Sequence, residues 1–449
     1  PEKGVTGIVS GGVDISGTMG NPFVSGEAHV KDGQYENLSV KDANIRFVYG
    51  ENRISIPYLK AQMAGGFLIG EGSYDMTSGA FEGEAAGEHI DLSSLPVGIS
   101  ASGIVSGSGK AKGIYKEGAL SLEMASGEMD GAGLSYENMA AGKVSGFGSY
   151  RDGDWHGVFY GMDLSYDGMS MDTLSGEVAS RGGVMDISYL TGTSGEGAFT
   201  VKGKYGPYLS LSGEASSIDL SGLSGLSGMD MAGRLSGRFV VSGSREDPSG
   251  AADFTARDGE IRGISFDRIA GHVSLGNQLA TITSLRLEGP DGKHTVKGSI
   301  GLLAPHPLAL TIDTDKTRIE KLLALAGEDY PVTGWIENTL TVTGTMEAPQ
   351  VKGDFLAFDG SVMGELFQSV SGEFTYDGNG ITLKNGLAYI YDGTAIVSGT
   401  VDPDAIDMDV SLNDISLSRM LPGRGADGKV NMRGHVSGTM EDPVFEGTI

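Results

Sequence analysis

The stretch Val342-Thr-Gly-Thr-Met-Glu-Ala-Pro349, followed by Asp359-Gly360, decides how the chain is organised. Two further complete copies of the pattern are Ile15–Pro22 with Asp32-Gly33 and Val241–Pro248 with Asp258-Gly259. In all three copies the aspartate follows the proline by ten residues. Another copy opens at Val436–Pro443, shortly before the last residue. An internal repeat of this kind predicts stacked units that depend on their neighbours, not independent globular domains.

The repeat glycine predicts where each unit begins. Gly17, Gly243, Gly344 and Gly438 occupy one position of the pattern, and Gly107 marks a copy that lacks the proline. The predicted organisation is the end of a truncated repeat at 1–14, repeat 1 at 15–104, repeat 2 at 105–240, repeat 3 at 241–341, repeat 4 at 342–435 and the start of a truncated repeat at 436–449. Repeat 2 is long, and its Asp-Gly pairs at Asp130-Gly131 and Asp167-Gly168 indicate a partial duplication. Since the chain starts and stops within repeats, we expect it to be an excerpt whose membrane anchor lies elsewhere.

Within the repeats the local pattern is typical of strands. Apolar and polar residues alternate with a period of two, for example at Leu308–Asp313 and Asp407–Leu412. Asp-Gly between alternating segments predicts a tight hairpin turn, because glycine accepts a positive φ. Each repeat ends in a short helical segment, the clearest at 317–326 with Gly327 placed to end it. The sequence therefore predicts an all-β, elongated repeat architecture, in which antiparallel strands form a long sheet with short amphipathic helices between repeats.

Composition and motifs exclude several classes of function. The formal net charge of −27 is unfavourable for binding nucleic acid or anionic headgroups. The chain has no cysteine, its seven histidines show no metal-ligand spacing, and no Gly-x-Ser-x-Gly motif is present. The loop at 423–429 has Val430 where a phosphate-binding loop needs Ser or Thr, and the aspartates at 402–409 lack the calcium-binding nonapeptide pattern. We expect no catalytic residue, no metal and no cofactor, so the protein is predicted not to be an enzyme.

The repeat pattern, Val-Ser-Gly-Thr-Met-x-x-Pro-x-x-x-Gly followed by Asp-Gly and glycine-punctuated strands, resembles the AsmA-like family that includes TamB. The resemblance rests on Gly17, Pro22, Gly26, Gly33, Gly344, Pro349, Gly353, Gly360, Gly438, Pro443 and Gly447. Repeat 3 departs from it with Ala252 in place of the later glycine. The resemblance implies a curved sheet, a β-taco, with an apolar groove. It also implies an inner-membrane anchor, a periplasmic location in a diderm bacterium, phospholipid transport that supports outer-membrane assembly, and an Omp85-class outer-membrane barrel as a partner.

A one-sided apolar sheet needs something to cover its face, and acyl chains require only a continuous dry surface. The predicted lipid-binding residues of the groove are Ile54, Ile56, Phe67, Ile69, Ile282, Leu310, Ile312, Ile381, Leu383, Met408, Val410 and Leu412. The alternative is that these side chains pack against each other inside a secreted or surface β-solenoid, an adhesin or scaffold with a filled core. Such solenoids have shorter, more regular repeats than the units of about 90–100 residues found here.

Overall fold

The computed structural model describes residues 5–35, 38–95, 100–167, 169–223, 231–261, 264–326, 331–362, 364–402, 404–439 and 442–448. The chain divides into two compact units, Pro1–Ile218 and Asp219–Ile449, here called unit 1 and unit 2. Both consist almost entirely of antiparallel strands.

Unit 1 is a meander in which each strand pairs with the next one along the chain. Its strands are β1 Val5–Thr18, β2 Asn21–Tyr35, β3 Leu38–Gly50, β4 Arg53–Met63, β5 Gly66–Asp75, β6 Ala80–Asp91, β7 Ala101–Lys116, β8 Ala119–Tyr136, β9 Met139–Arg151, β10 Asp154–Tyr166, β11 Met169–Arg181, β12 Val184–Ser194, β13 Gly197–Tyr205 and β14 Tyr208–Asp219. Among the described pairings β1 pairs with β2 alone, so the sheet has an open edge there.

Unit 2 repeats this plan. Its strands are β15 Met231–Ser244, β16 Pro248–Ile261, β17 Ile264–Gly276, β18 Leu279–Gly289, β19 Gly292–Gly301, β20 Leu308–Arg318, β21 Val332–Gly344, β22 Pro349–Val362, β23 Glu365–Tyr376, β24 Ile381–Ile390, β25 Gly393–Val401, β26 Ile406–Ser416, β27 Lys429–Gly438 and β28 Pro443–Thr448.

Short helical segments separate groups of strands. They are a 3₁₀ turn at Leu92–Ser94, another at Leu220–Leu223, helix α1 at Ile319–Ala326 and helix α2 at Leu417–Met420. They follow β6, β14, β20 and β26. The group β7–β14, which contains most of the long repeat 2, therefore has two more strands, one hairpin, than each of the other three groups. Helix α1 begins two residues later than predicted, because Thr317 and Arg318 still belong to β20, and Gly327 lies outside the described residues. The predicted fold class, an all-β antiparallel repeat architecture with short helices between repeats, is confirmed.

The opening of the repeat motif forms a hairpin turn between two long strands. In all four copies the motif glycine pairs with the motif proline, as in Gly344 with Pro349. Gly344 has a φ of +85°, and a Cβ there would stand 2.4 Å from the Ala348 carbonyl oxygen. Because both the backbone angle and the close approach exclude a side chain, glycine is required at this turn.

The Asp-Gly pairs of the three complete copies do not form hairpin turns, so this prediction is wrong. They lie inside strands β2, β16 and β22, where Asp32, Asp258 and Asp359 each have a φ near +50° and the pairing with the preceding strand shifts register. They are β-bulges, and a Cβ at the glycine on the preceding strand, Gly7, Gly233 or Gly334, would stand within 3 Å of the Cα of the Asp-Gly glycine. The constant Pro-to-Asp spacing therefore fixes the distance from turn to bulge, about 33 Å at ~3.3 Å per residue.

Buried cores lie at the bulge end of the strands. In unit 2, Leu220 of the 3₁₀ turn packs with Ala256, Phe266 and Ile269, and Ile319 of α1 packs with Ala357 and Phe367. Phe266 and Phe367 pair with the bulge glycines Gly259 and Gly360, whose hypothetical Cβ atoms would stand 2.5 Å from the ring. Each ring thus takes the place of the missing side chain. The helical segments cover the sheet at this end, which we call the core end.

Candidate binding groove

One face of unit 2 is apolar from its first strand to its last. Residues directly opposite in an antiparallel pair share a face, so a row can be followed across the sheet. The central row of unit 2 is Gly237, Phe254, Gly271, Leu285, Val296, Ile312, Leu340, Gly353, Phe374, Leu383, Gly399, Met408, Val436 and Phe445. Every member is apolar or glycine, and the face stays half-exposed away from the core end. We call it the apolar face of unit 2.

The opposite face is polar. The row displaced by one residue includes His435, Asp409 and Ser398 at one side of the unit. Farther along it includes Glu373, Asp354, Thr339, Asp313, Thr295 and Arg286. Val240, Leu356 and Ile396 are exposed on this face as well. Along the central part of the strands, however, the sheet of unit 2 is polar on one side and apolar on the other, as the alternation in the sequence predicted.

All eight predicted groove residues of unit 2 share the apolar face. Ile312, Leu383 and Met408 belong to the central row, and the other five lie in adjoining rows: Ile282, Leu310, Ile381, Val410 and Leu412. Their side chains are partly exposed, up to 46% for Ile381, so the surface is open to a ligand. Their contact with lipid stays a prediction.

In unit 1 the predicted set is divided between the two faces. Ile54 and Ile56 pair with Tyr74 and Gly72 on one face. Phe67 and Ile69 pair with Gln62 and Lys60 on the other, polar face, where they are 49% and 50% exposed. Phe67 and Ile69 therefore do not lie in one groove with Ile54 and Ile56, and this part of the prediction is corrected.

The residue that faces the groove of unit 1 at this point is Leu68, which pairs with the buried Ala61. Sequence reasoning missed it because Phe67, Leu68 and Ile69 are consecutive apolar residues that fit either face. Gly70 and Gly72 lie on the groove side of β5. Because they are glycines, they carry no hydropathy signal that would show which face of β5 is apolar.

The face of unit 1 that holds Ile54, Ile56 and Leu68, here called the apolar face of unit 1, contains a broad glycine-rich area. One row runs Leu59, Gly70, Ala85, Gly109, Gly127, Gly148, Gly157 and Val178 from β4 to β11. The neighbouring row adds Gly72, Gly83, Ala111 and Ala125. We call the glycines and alanines of these two rows the glycine floor.

An open-sided cavity of about 850 Å³ lies over the glycine floor. Ile56 and Leu59 bound it on one side, and Tyr150 and Trp155, which pair directly across β9 and β10, bound it on the other. No sequence pattern had indicated this cavity, because its defining property is the absence of side chains.

Three polar side chains interrupt the apolar face of unit 2 beside the central row. His294, Thr314 and Asn338 lie opposite one another on β19, β20 and β21. His294 Nδ1 lies 3.1 Å from Thr314 Oγ1, and burial lowers the pKa of His294 below its usual value. Asn338 Oδ1 is buried and has no hydrogen-bond partner within the described part of the chain.

The aspartates considered for calcium are engaged with other groups. Asp402 Oδ1 accepts hydrogen bonds from the backbone N–H groups of Asp404 and Ala405, at 2.9 and 2.7 Å. Asp407 and Asp409 flank His435 on the polar face, at 3.6 and 3.1 Å, and the hydrogen bond to Asp409 raises the pKa of His435. Within the ranges given above, no cluster of three or more potential metal-ligating side chains occurs.

In the same described residues no helix has the length and apolar character needed to cross a membrane. No family model, curated protein or solved structure matches the chain.

Proposed function

We propose that the chain is a lipid-carrying segment of an AsmA-like protein, in which phospholipid acyl chains lie along the apolar face of the sheet. The observation that carries the proposal is the central row of unit 2, which is apolar on every strand from β15 to β28. At ~4.8 Å per strand the row is about 60 Å long. One leaflet contributes about 15 Å to the hydrocarbon core of a bilayer. An acyl chain would therefore find several successive positions along one unit.

The chemistry of the face suits a carrier more than a specific receptor. Acyl chains gain about 0.8 kcal/mol for each methylene removed from water and need no hydrogen-bonding partner. Because the central row presents only hydrocarbon and glycine, neighbouring positions offer similar free energies, so a bound chain can move along the row. The charged opposite face keeps such a sheet soluble while its apolar face is occupied.

The cellular setting belongs to the same proposal and is supported by the repeat motif that resembles the AsmA-like family. In this setting the full-length protein is anchored in the inner membrane of a diderm bacterium and spans the periplasm. It conveys phospholipid toward the outer membrane, with an Omp85-class outer-membrane barrel as its partner. No reaction is catalysed and no cofactor is required.

The test places three charges on the apolar face of unit 2 and measures lipid binding. We expect the triple variant Ile312→Glu, Leu383→Glu, Val410→Glu to bind cis-parinaric acid at least about tenfold more weakly, because each carboxylate must lose water when an acyl chain covers it. Transfer of fluorescent phospholipid between vesicles should fall in parallel.

The matched control adds the same three charges to the polar face, as Thr311→Glu, Thr382→Glu, Ser411→Glu. These residues adjoin the first three along their strands and face the other way. The control should bind like the unmodified chain, and circular dichroism should show the same strand content in both variants. Equal binding by the two variants would contradict the proposal, and failure of the unmodified chain to bind any acyl probe would favour the filled scaffold instead.

A further inference from the structure

The glycine floor of unit 1 differs from those glycines of the apolar faces that lie under an aromatic ring. A Cβ at Gly192 would stand 2.5 Å from the Phe199 ring, and one at Gly271 would stand 2.7 Å from the Phe254 ring. Over Gly72, Gly83, Gly109 and Gly127 the nearest atoms are backbone atoms of the adjacent strand. No side chain of the described protein fills the space above this part of the sheet.

Two of the floor glycines are not required by the backbone. A Cβ at Gly148 would meet nothing within 4 Å, and one at Gly157 would meet only the Phe147 carbonyl oxygen at 3.8 Å. Neither residue has a positive φ. Alanine in place of glycine would stabilise the strand by about 0.5–1 kcal/mol. The stability of the fold alone therefore does not explain glycine at these positions. Glycine within a strand otherwise marks a place where a ligand approaches the backbone closely.

The shape of the floor indicates what kind of ligand fits. Dispersion attraction falls by a quarter to a half over a gap of about 0.5–1 Å. A rigid, flat molecule therefore gains full contact only on a surface without projecting side chains. A flexible acyl chain can follow the projections of unit 2 and does not need such a surface.

The borders of the cavity agree with this interpretation. Tyr150 and Trp155 provide an aromatic wall, and Ile56 and Leu59 provide an aliphatic one. The charged residues Glu71, Glu84 and Lys110 occupy alternate strand positions, whose side chains lie on the opposite face. The volume of about 850 Å³ is within the range of pockets that enclose a whole small molecule, about 300–1,000 Å³.

We propose that the glycine floor binds the flat hydrocarbon skeleton of a fused-ring, sterol-like lipid. The inference rests on the proposed function in that it assigns a second lipid class to the apolar side of the strands. It differs in its ligand, which is rigid, and in its place, which is confined to strands β4–β10 of unit 1.

The test compares a fused-ring probe with a linear one on the full chain. We expect Gly148→Leu and Gly157→Leu each to weaken binding of dehydroergosterol at least about tenfold while changing binding of cis-parinaric acid less than about twofold. Gly12→Leu is the matched control. A Cβ at Gly12 would also meet nothing within 4 Å, but Gly12 lies on β1 and pairs with Glu27 of β2 on the polar face. It should leave both affinities unchanged.

Energy transfer from tryptophan gives a second readout that needs no change in the floor. The chain has two tryptophans, Trp155 beside the floor and Trp335 in unit 2. Trp155→Phe should remove most of the transfer to bound dehydroergosterol, and Trp335→Phe should not.

Three results would overturn the inference: no binding of dehydroergosterol, equal loss of both probes in the Gly148→Leu variant, or transfer that survives Trp155→Phe. The first and third leave the acyl carrier proposal intact. Binding of dehydroergosterol without cis-parinaric acid would overturn the acyl proposal and keep this one.

Discussion

Units 1 and 2 have the same strand meander and use glycine on their apolar faces in opposite ways. In unit 2 glycine alternates with large residues across the strands, as Gly399 does between Leu383 and Met408. In unit 1 glycine lies beside glycine or alanine over six consecutive strands, from Gly70 to Gly157. Side-chain composition alone can therefore change the depth of a groove while the backbone pairing is kept.

The two units also differ at the core end. In unit 2 a buried phenylalanine ring covers each bulge glycine, Phe266 over Gly259 and Phe367 over Gly360. In the first group of strands the corresponding residue over Gly33 is the half-buried Val40, whose Cβ lies 3.6 Å from a hypothetical Cβ. We infer that unit 2 depends more strongly on side-chain packing at this end than the first group of unit 1 does.

The largest effect is expected from removing one of these rings. Phe266 is 2% exposed, and Phe266→Ala should lower the free energy of unfolding of unit 2 by about 3–5 kcal/mol, through lost burial and the cavity left behind. Hydrogen exchange resolved along the chain should show lost protection in β16 and β17.

Val40→Ala is the control for the weaker packing of unit 1, and it should cost about 1–2 kcal/mol at ~0.8 kcal/mol per methylene. A similar loss of protection in both variants would show that the cores of the two units do not differ as inferred.

A smaller effect, with opposite signs in the two units, is expected when alanine replaces glycine. A Cβ at Gly360 would stand 2.1 Å from the Thr333 carbonyl oxygen and 2.5 Å from the Phe367 ring, so Gly360→Ala should destabilise by about 1–3 kcal/mol. Gly148→Ala has open space and should stabilise by up to about 1 kcal/mol. Urea unfolding of the two variants measures the difference directly, and destabilisation by Gly148→Ala would mean that the floor glycines serve the fold.

The two-residue alternation was sufficient to predict the all-β class, and the apolar spacing was sufficient to predict the helical segments, because each has a local physical cause. The turn at Gly344–Pro349 was not predicted, since its glycine served only to mark the start of a repeat. The sequence also could not distinguish a turn from a bulge at Asp359-Gly360, since both require a left-handed residue. Many tight turns instead use pairs without that signal, such as Glu51-Asn52 and Asn277-Gln278, both with positive φ.

The residues of the candidate groove were predictable where large residues alternate, as at Met408 and Leu412. The assignment of residues to a face failed where glycine occupies the groove side. Phe67 and Ile69 are the example, since only the register with β4 shows which face they take. The glycine floor was not predictable because its property arises from six strands placed side by side.

The smallest expected effect concerns pH and tests whether His294 makes the apolar face of unit 2 sensitive to protonation. Burial lowers the pKa of His294, so its favourable contribution is present above the usual histidine value of about 6.5 and is lost as the pH falls below it. His435, on the polar face, has the opposite sign, because its hydrogen bond to Asp409 raises its pKa. Its contribution is complete below about 6.5 and is lost as the pH rises through the raised value.

Urea midpoints measured from pH 5 to 8 should therefore fall less on acidification in His294→Asn and more in His435→Asn than in the unmodified chain. Binding of cis-parinaric acid should weaken more on acidification in the unmodified chain than in His294→Asn, which cancels the titration of the probe's own carboxyl group, since a protonated ring beside the central row opposes burial by an acyl chain. Dehydroergosterol binding in unit 1 should not follow this change, and a parallel pH dependence of both probes would show that the two sites are not separate.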